Sequence, residues 1–479
     1  MRLNIIFRYV GIILLFNAFF LLISALISLF NNDSGFFPLL YSALIAFLFG
    51  LFPLIFVPPT KDISNNEGMA IVVSSWLISC LIGMLPYVLW GGEFSLTNAW
   101  FESVSGYTTT GASILNNIES IPMGLLFWRA STHWIGGIGI IIFVLSVLPS
   151  FGIAGMILYR SEMSPAALQQ FHLRTKEAVR IIAAVYLGIT VIQTIALLFT
   201  GLGLFDSITH SFATVATGGF STKSMSIAAF NNPAAEIVIM IFMIISGINF
   251  SLLFAVVIGN FSVLKTSTVV KYYLLINFTA IILVTLNTYV NNYESFIDAL
   301  RYSSFQVLSV GTSTGFANAD SSVWPGFSQI IIIFFTFQCA CAGSTSGGIK
   351  IDRIIIMLKA VLRRIKQIIH PNAVISITMY NRKTTGIQIE AALIYILFYI
   401  GIVFLGSLIL TILDVDALSA FSGTAAAMGN VGPGLSKVGS LSNYSQIPEV
   451  GKWILSVIML LGRLEIYGLI IFFMPKIWK

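Results

Sequence analysis

The sequence predicts an all-α membrane protein with ten transmembrane helices, and three observations support this fold class. Hydrophobic residues make up 57% of the 479 residues and charged residues only 9%, whereas average proteins have roughly 25% charged residues. A water-soluble fold of this length cannot bury so much apolar surface, so we expect lipid around the chain. The other two observations are a glycine motif that recurs four times and a one-sided distribution of Lys and Arg.

The apolar segments define the expected helices, because a helix that crosses a bilayer needs about 20 apolar residues. The first segment follows Arg2 and Arg8. It is too long for the apolar core of a cleavable signal peptide, which has about 7–15 residues, so we expect a retained helix. The ten segments are residues 9–30, 37–57, 69–90, 128–149, 181–203, 236–260, 272–290, 327–357, 387–412 and 451–475.

The basic residues predict the orientation of these helices. If the N-terminus starts in the cytoplasm and each segment crosses once, most Lys and Arg residues fall in cytoplasmic connections, as the positive-inside rule requires. This arrangement places both termini in the cytoplasm and all four glycine motifs outside. Acidic residues gather on the outer side, where they either attract cations to an entrance or cap helix starts; both interpretations stay open.

The four glycine motifs indicate an internal repeat. Gly111, Gly218, Gly315 and Gly432 lie 107, 97 and 117 residues apart, which favours one unit copied four times. An apolar stretch too short to span the membrane precedes each motif, and this pattern is typical of a short pore helix followed by a re-entrant loop. The four stretches are residues 100–107, 208–215, 297–310 and 417–428.

The repeating unit is therefore membrane helix, pore helix, extended loop and membrane helix. We expect four pseudo-symmetric copies of this unit around one pore. The first two segments lack a glycine motif and form a separate N-terminal helix pair. The expected boundaries are residues 1–60 for the helix pair and residues 61–158, 159–265, 266–370 and 371–479 for the four pore repeats.

The residue types of the motifs suit a filter of backbone carbonyl groups. A cation that enters a narrow pore loses water, and rings of carbonyl oxygens can replace that water. Glycine allows backbone angles that are closed to other residues, and a neighbouring hydroxyl can hold the loop or face the ion. The alternative is close helix packing by small residues, which four matched copies disfavour. The candidate filter residues are Thr109, Thr110, Gly111, Ala216, Thr217, Gly218, Ser313, Thr314, Gly315, Asn430, Val431 and Gly432.

Two features interrupt the pattern of continuous apolar helices. A run of helix-poor residues, 342–348, interrupts the apolar segment 327–357 and should break the helix near the middle of the membrane; the alternative is a locally packed glycine kink. Arg463 lies near the middle of the last segment, where a charge is costly and usually faces a cavity or a partner. The alternative is that Arg463 pairs with Glu465 or Asp352 and only fixes helix packing.

The other side chains give no case for catalysis. The four histidines are scattered without metal-ligand spacing, and no nucleophile-and-base constellation is present. We therefore expect a protein that is not an enzyme and has no cofactor, and nothing indicates nucleic-acid binding. Four basic residues between Lys359 and Lys366 would bind either anionic lipid of the bilayer or a cytoplasmic subunit.

Five motifs are specific when taken together: Thr108–Ser113, His133–Gly139, Ala213–Thr222, Cys341–Lys350 and Leu461–Glu465. On these motifs the chain resembles the Trk/Ktr/HKT superfamily of potassium transporters, and within it the bacterial TrkH-type membrane subunit. The resemblance covers nearly the full length. The two leading helices look like the extra helix pair of the TrkH branch, and the fourth glycine motif departs from the Thr-rich pattern as that branch does.

The resemblance implies potassium uptake across the bacterial inner membrane by a multi-pass homodimer, through a channel-like selectivity filter in each subunit. Gly111 points to potassium, because a serine can replace this glycine in relatives that favour sodium. A cytoplasmic nucleotide-binding ring protein of the TrkA type would regulate the pore. The implied gate consists of an intramembrane loop and a pore-facing arginine: Gly343, Ser344, Thr345, Ser346, Gly347, Gly348, Lys350 and Arg463.

An ion-coupled secondary transporter of a small solute is the alternative function. Such transporters usually contain inverted repeats with binding sites near the middle of the membrane. Here the glycine motifs all face outward, so the repeats are expected to be parallel, which favours the potassium pathway. A membrane receptor or scaffold is a third class, but no feature of the sequence supports it.

Overall fold

The structure, a computed structural model, describes residues 1–58, 64–146, 175–338, 340–373, 375–379 and 382–474. These residues form helices and one antiparallel hairpin, β1 (Thr378–Met379) with β2 (Arg382–Lys383), in which Thr378 is paired with Lys383. The helices are α1 (Leu3–Phe30), α2 (Phe36–Phe56), α3 (Asn65–Trp90), α4 (Leu96–Tyr107), α5 (Met123–Ser146), α6 (Thr175–Phe199), α7 (Leu204–Val215), α8 (Pro233–Ser246), α9 (Phe250–Val257), α10 (Ser262–Thr266), α11 (Thr268–Asn291), α12 (Phe296–Gly311), α13 (Gly326–Phe337), α14 (Ile351–Ile369), α15 (Gly386–Ile412), α16 (Ala417–Gly429), α17 (Glu449–Arg463) and α18 (Tyr467–Phe472).

The long helices make the chain a membrane-spanning protein. Six of the described helices are long and apolar enough to cross a bilayer, namely α1, α2, α3, α6, α11 and α15. The bent pair of α8 and α9 adds a seventh if it counts as one span. The count of ten crossings stays a prediction, and the domain boundaries predicted after residues 60 and 158 lie outside the described residues.

Three of the predicted segments are divided into two helices. In 327–357 the predicted break is present, because α13 ends at Phe337 and α14 begins at Ile351. The sequence also predicts continuous helices for 236–260 and 451–475, and this prediction is wrong. The helices α8 and α9 meet at 105°, and three residues separate the end of α17 from the start of α18.

Local contacts explain the two breaks that the sequence does not predict. Asn249 caps the start of α9 with its side chain and donates a hydrogen bond to the carbonyl oxygen of Ala342 at 2.8 Å. After α17, Glu465 and Ile466 have φ angles of 58° and 51°, a conformation that is costly for a β-branched residue. A salt bridge from Arg353 to Glu465 at 2.7 Å and the complete burial of Ile466 stabilise it.

A short helix precedes each glycine motif, at the stretches that the sequence predicts. These helices are α4, α7, α12 and α16, and each packs on the long helix before it. Side chains cap the first and the last: Ser95 accepts a hydrogen bond from the amide of Asn98 at 3.3 Å, and Asp416 accepts one from the amide of Ser419 at 3.0 Å. Their C-terminal halves are buried, so the loops that follow begin inside the protein.

The N-terminal helix pair is closely packed and joined to the rest of the chain. A Cβ atom at Gly11 of α1 would lie 2.6 Å from the carbonyl oxygen of Gly50 in α2, so only glycine permits this approach of the two backbones. The hydroxyl of Tyr107, at the end of α4, donates to Oδ1 of Asn17 at 2.6 Å. The helix pair therefore contacts the first short helix, α4, directly, although the pair itself has no glycine motif.

Candidate cation pathway

The four glycine motifs have the same backbone conformation at the ends of the short helices. A residue with φ between 51° and 55° comes first, and two residues later a glycine has φ between 79° and 91°. Only glycine adopts the second conformation without strain. The first residues are Thr109, Thr217, Ser313 and Asn430, and the glycines are Gly111, Gly219, Gly315 and Gly432.

In the second motif, the glycine with this conformation lies one residue later than sequence spacing predicts. The sequence aligns Gly218 with the other motif glycines, but Gly219 has the matching φ of 80°. A Cβ at Gly218 would instead lie 2.4 Å from Nδ1 of His133. Ala216 is the C-cap of α7 with φ of −75°, so it precedes the loop. Residues 217–219 are therefore equivalent to residues 109–111, 313–315 and 430–432. Sequence spacing could not identify this segment, because two glycines are adjacent there.

The glycines lie against neighbouring loops in a closed cycle. A Cβ added at any of them would lie 2.0–2.4 Å from a carbonyl oxygen of the next loop, so no side chain fits. The first loop contacts the second, the second contacts the third, the third contacts the fourth, and the fourth contacts the first. The pairs are Gly111 with the oxygen of Gly218, Gly219 with that of Thr314, Gly315 with that of Val431, and Gly432 with that of Thr110. All four glycines also border one cavity of about 60 Å³.

Side-chain hydrogen bonds hold the loop backbones in place. The hydroxyls of Thr108 and Thr110 are 2.7 Å apart, and those of Thr312 and Thr314 are 2.8 Å apart in the equivalent place. Asn430 donates from Nδ2 to the hydroxyl of Thr110 at 3.1 Å and so joins the fourth loop to the first. These contacts restrain the loop side chains, and the backbone carbonyl oxygens of the loops are groups that can replace the water around a cation.

A compact loop, residues 338–350, lies between α13 and α14; residue 339 is outside the described residues. Two backbone hydrogen bonds close its base, from Ile349 to Phe337 at 2.9 Å and from Ile351 to Ala340 at 3.2 Å. The chain therefore leaves the helix and returns to the same point. This geometry is a separate loop and not a kink within one continuous helix. We call it the intramembrane loop.

The intramembrane loop is bonded to two of the four glycine loops. Thr217 donates from its hydroxyl to that of Thr345 at 3.3 Å, and Ser313 donates from its hydroxyl to that of Ser346 at 2.8 Å. The amide of Gly347 also donates to the hydroxyl of Ser313 at 3.0 Å. Thr217 and Ser313 are the residues with positive φ in the second and third glycine loops, so the intramembrane loop contacts equivalent positions of both.

The predicted gate residues lie in this loop or against it. Ser344, Ser346 and Lys350 are each at most 4% exposed, and Lys350 donates from Nζ to the carbonyl oxygen of Ser346. Gly343 and Gly348 have φ angles of 74° and 68°, which explains two of the glycines in the run. The loop therefore fills interior space beside the glycine loops.

Arg463 is buried at 2% exposure and bonded to backbone oxygens. It donates from Nη1 to the carbonyl oxygen of Thr345 at 2.6 Å and from Nη2 to that of Gly136 at 3.1 Å. Glu465 forms its salt bridge with a different arginine, and within the described residues no ion pair joins Arg463 to Glu465 or Asp352. The alternative of a helix-packing ion pair is therefore wrong, because the helix ends at Arg463 and Glu465 belongs to the break that follows.

The bend between α8 and α9 also contacts the intramembrane loop. The amide of Cys341 donates to the carbonyl oxygen of Gly247 at 3.0 Å, and the amide of Phe250 donates to that of Gly343 at 3.0 Å. This contact was not predicted, although the sequence contains a signal for the bend. A glycine at 247 followed by Asn249 is typical of a helix end and a new helix start.

A buried salt bridge between α4 and α5 was also not predicted. Nη2 of Arg129 lies 2.7 Å from Oε1 of Glu102, and the two side chains are 1% and 0% exposed. The outer acids are expected either to attract cations or to cap helices, and neither role describes Glu102. The pair could not be predicted, because 27 residues separate its members and no helical periodicity links them.

Two other outer acids stabilise the connections around the loops. The hydrogen bond from the amide of Ser419 lowers the pKa of Asp416 below its usual value, so Asp416 acts as a cap. Burial alone would raise the pKa of Glu119, but the hydroxyl and the amide of Ser224 donate to this carboxylate and the net pKa is lowered. The capping interpretation therefore holds for Asp416.

Membrane-spanning helices, four irregular loops in a closed cycle and a buried loop bonded to two of them define a polytopic membrane transport protein. The sequence profile of a family described as TrkH, cation transport protein, matches residues 43–479. The chain belongs to the TrkH family of cation transport proteins. It is a transport protein and not an enzyme.

Relatives match over the whole length. The Trk system potassium uptake protein TrkH of Escherichia coli K12 is 34% identical, and the match covers 100% of both chains. The protein of the same name from Halomonas elongata is 33% identical with the same coverage. The crystal structure of the potassium transporter TrkH from Vibrio parahaemolyticus superposes with a TM-score of 0.91 at 30% identity and covers 100% of both chains.

Proposed function

We propose that the chain takes up potassium across the bacterial inner membrane through a filter of backbone carbonyl oxygens. The observation that carries this proposal is the closed cycle in which each motif glycine meets a carbonyl oxygen of the next loop. A ring of such oxygens replaces the hydration shell of a monovalent cation. The relatives support potassium as the ion, since they are named as potassium uptake proteins or transporters. The proposed filter residues are Thr109, Thr110, Gly111, Thr217, Gly218, Gly219, Ser313, Thr314, Gly315, Asn430, Val431 and Gly432.

The proposed architecture is four parallel repeats around one pore, with ten crossings and both termini in the cytoplasm. The equal backbone conformation of the four loops supports the repeats. A long helix followed by a short helix before every loop also supports them. The excess of Lys and Arg in the expected cytoplasmic connections supports the orientation.

The intramembrane loop and Arg463 form the proposed gate. The loop lies against Thr217 and Ser313, so it occupies the space that an ion leaving the filter needs. The guanidinium of Arg463 is within hydrogen-bonding distance of Thr345 in this loop, and its positive charge raises the barrier to a cation. Opening requires the loop to give up these hydrogen bonds, and the filter itself stays in place.

The proposed partners are a second copy of the chain and a cytoplasmic nucleotide-binding ring protein of the TrkA type. Membership of the family supports both. The end of α14 supports a docking surface, because Arg364 and Lys366 are exposed there; anionic lipid is the other occupant that this charge would bind. Light scattering of purified protein tests the dimer, and binding of a purified TrkA-type ring with and without Arg364→Ala tests the docking surface.

Uptake into proteoliposomes tests the function. Potassium and rubidium should enter faster than sodium, and Gly111→Ser should reduce this preference because the added Cβ would lie 2.1 Å from the oxygen of Gly218. The matched control is Gly201→Ser, since Gly201 also has a positive φ but has no atom within 4 Å of the added Cβ. Equal uptake of potassium and sodium by the unmodified protein would overturn the proposal. Uptake that requires a co-transported organic solute would favour the secondary transporter.

A further inference from the structure

The pore helices of units 1, 2 and 3 share a polar position that the proposed filter does not use. It lies nine residues before the motif glycine, and the side chain there is at most 1% exposed in all three units. In unit 4 this position is Gly423, which has no side chain. The three side chains are Glu102, His210 and Gln306, which precede Gly111, Gly219 and Gly315.

In unit 1 this side chain bonds to the chain that leaves the filter. The hydroxyl of Ser113 donates to Oε1 of Glu102 at 2.9 Å, and the amide of Ile114 donates to Oε2 at 3.0 Å. Ser113 is two residues beyond the motif glycine. Glu102 therefore holds the segment beyond the filter against the helix before it.

In unit 2 the same connection is made by a neutral imidazole. Nδ1 of His210 lies 2.8 Å from the carbonyl oxygen of Asp206, and since a carbonyl oxygen only accepts, Nδ1 carries the proton. Nε2 then accepts from the hydroxyl of Ser221 at 2.9 Å. Ser221 is two residues beyond the motif glycine, as Ser113 is in unit 1. Different side chains thus make the same contact at the same place in the repeat.

In unit 3 an amide takes this role. Nε2 of Gln306 donates to the carbonyl oxygen of Ala319 at 2.7 Å, four residues beyond the motif glycine. In unit 4 the neighbouring residue substitutes, since the hydroxyl of Ser422 accepts from the amide of Leu435 at 2.9 Å. Every pore helix is therefore bonded through a side chain to the segment that leaves its own filter loop.

Arg129 joins two of these connections into one buried network. It donates from Nε and Nη2 to Oε1 of Glu102 at 2.9 and 2.7 Å, and from Nη1 to the carbonyl oxygen of Ser221 at 3.2 Å. Its guanidinium lies 4.1 Å from the ring centre of Phe220. Glu102, Arg129, Ser221 and His210 thus form a continuous chain of contacts across the boundary between units 1 and 2.

We propose that Glu102, His210 and Gln306 are positioning residues that hold the segments beyond the filter and thereby set its discrimination between cations. The proposal rests on the proposed function, because it assumes that the glycine loops are the filter. Backbone that is neither helix nor sheet depends partly on such side-chain contacts for its shape. The spacing and flexibility of the carbonyl ring decide which ion it prefers. Loss of one connection should therefore change ion preference more than it changes the amount of folded protein.

Gln306→Leu is the first test, because it removes one hydrogen bond and keeps the volume of the side chain. The ratio of potassium to sodium uptake in proteoliposomes should fall about fivefold, which corresponds to the typical net free energy of one hydrogen bond. The matched control is Ser303→Ala in the same helix, whose hydroxyl bonds to Thr288 in α11 at 2.9 Å and not to the segment beyond the filter. The control should keep the wild-type ratio.

Two variants of His210 test whether a conservative replacement restores the ion preference. His210→Leu should lower the ratio, whereas His210→Gln retains an acceptor for the Ser221 hydroxyl and should restore most of it. If the Leu variant does not fold, Ser221→Ala removes the same hydrogen bond from outside the helix and decides the question. Folded Gln306→Leu and Ser221→Ala with the wild-type ratio would overturn the proposal. Failure of the proposed function is a different result, since wild-type protein would then show no preference for potassium.

Discussion

Nη1 of Arg463 lies 2.6 Å from the carbonyl oxygen of Thr345, and this contact joins α17 to the intramembrane loop. Nη2 of the same side chain bonds to Gly136 in α5 at 3.1 Å. Both acceptors are neutral, so these contacts hold the guanidinium without cancelling its charge. Under the proposed function, Arg463 would therefore have two separable effects, a mechanical one on the loop and an electrostatic one on a passing cation.

The first prediction concerns the charge of Arg463. Arg463→Ala should increase potassium uptake, because an interaction of about 1.4 kcal/mol between the guanidinium and the ion already changes the rate about tenfold. Arg463→Lys keeps the charge but cannot make both guanidinium hydrogen bonds, so it should increase uptake less than Arg463→Ala does. Stopped-flow uptake by proteoliposomes with equal amounts of folded protein measures both variants. Unchanged or abolished uptake in folded Arg463→Ala would contradict the electrostatic role.

The second prediction tests the register of the second glycine motif. Gly219→Ala should alter the ratio of potassium to sodium uptake, because the added Cβ would lie 2.1 Å from the carbonyl oxygen of Thr314 in the next loop. Gly218→Ala is the comparison, since its Cβ would meet the ring of His133 at 2.4 Å. This variant should lower thermal stability with a smaller effect on the ratio. The opposite order of effects would return Gly218 to the position that the sequence alignment assigns.

The third prediction concerns Gly347 in the intramembrane loop. A Cβ there would lie 2.5 Å from the carbonyl oxygen of Gly429 and 2.7 Å from Oδ1 of Asn430. Gly347→Ala should push the loop away from the fourth glycine motif, and if the loop obstructs the pathway, basal uptake rises. Gly326→Ala at the start of α13 is the control, because nothing lies within 4 Å of the added Cβ. A Gly347→Ala protein that is folded and no faster than wild type would argue against the loop as the obstruction.

The fourth prediction concerns stability. Glu236 in α8 pairs with Arg301 in α12 at 2.6 Å, and the two side chains are 1% and 20% exposed. Glu236→Ala removes the carboxylate that Arg301 shares with Nδ2 of Asn318, which donates to it at 2.9 Å. The free energy of unfolding should fall by about 3 kcal/mol, measured as a lower midpoint of thermal unfolding in detergent.

An exposed ion pair provides the comparison for that prediction. Lys437 and Asp416 are 3.8 Å apart, with side chains 57% and 39% exposed. Lys437→Ala should change the free energy of unfolding by no more than about 1 kcal/mol, because solvent screens surface pairs. Equal destabilisation by Glu236→Ala and Lys437→Ala would mean that burial does not determine how much the Glu236–Arg301 pair contributes to the free energy of unfolding.

Local sequence signals predicted much of the fold. Composition and apolar segment length indicated the long helices, and the helix-poor run at 342–348 indicated the break between α13 and α14. The same approach missed the bend at Gly247 and the break after Arg463, because both lie in segments whose hydropathy alone suggests one continuous span. At Glu465 and Ile466, tertiary contacts hold a conformation that the residue types disfavour.

The sequence likewise predicted some features of the candidate site and not others. Residue types and spacing located all four glycine motifs, but two adjacent glycines in the second motif made its register ambiguous. The salt bridge between Glu102 and Arg129 and the hydrogen bond of His210 to Ser221 left no sequence signal. Their geometry depends on how separate helices pack, which periodicity within one helix does not describe.

The sequence by itself determined the lipid environment, the order of long and short helices and the need for glycine at the loop turns. These are local properties, since hydrophobic burial and permitted φ angles depend on residue type over at most a few turns of chain. Only the tertiary structure decided which carbonyl oxygen each glycine meets and which atoms hold Arg463. Those contacts join residues far apart in sequence, 118 positions in the case of Arg463 and Thr345, and packing of the whole chain brings them together.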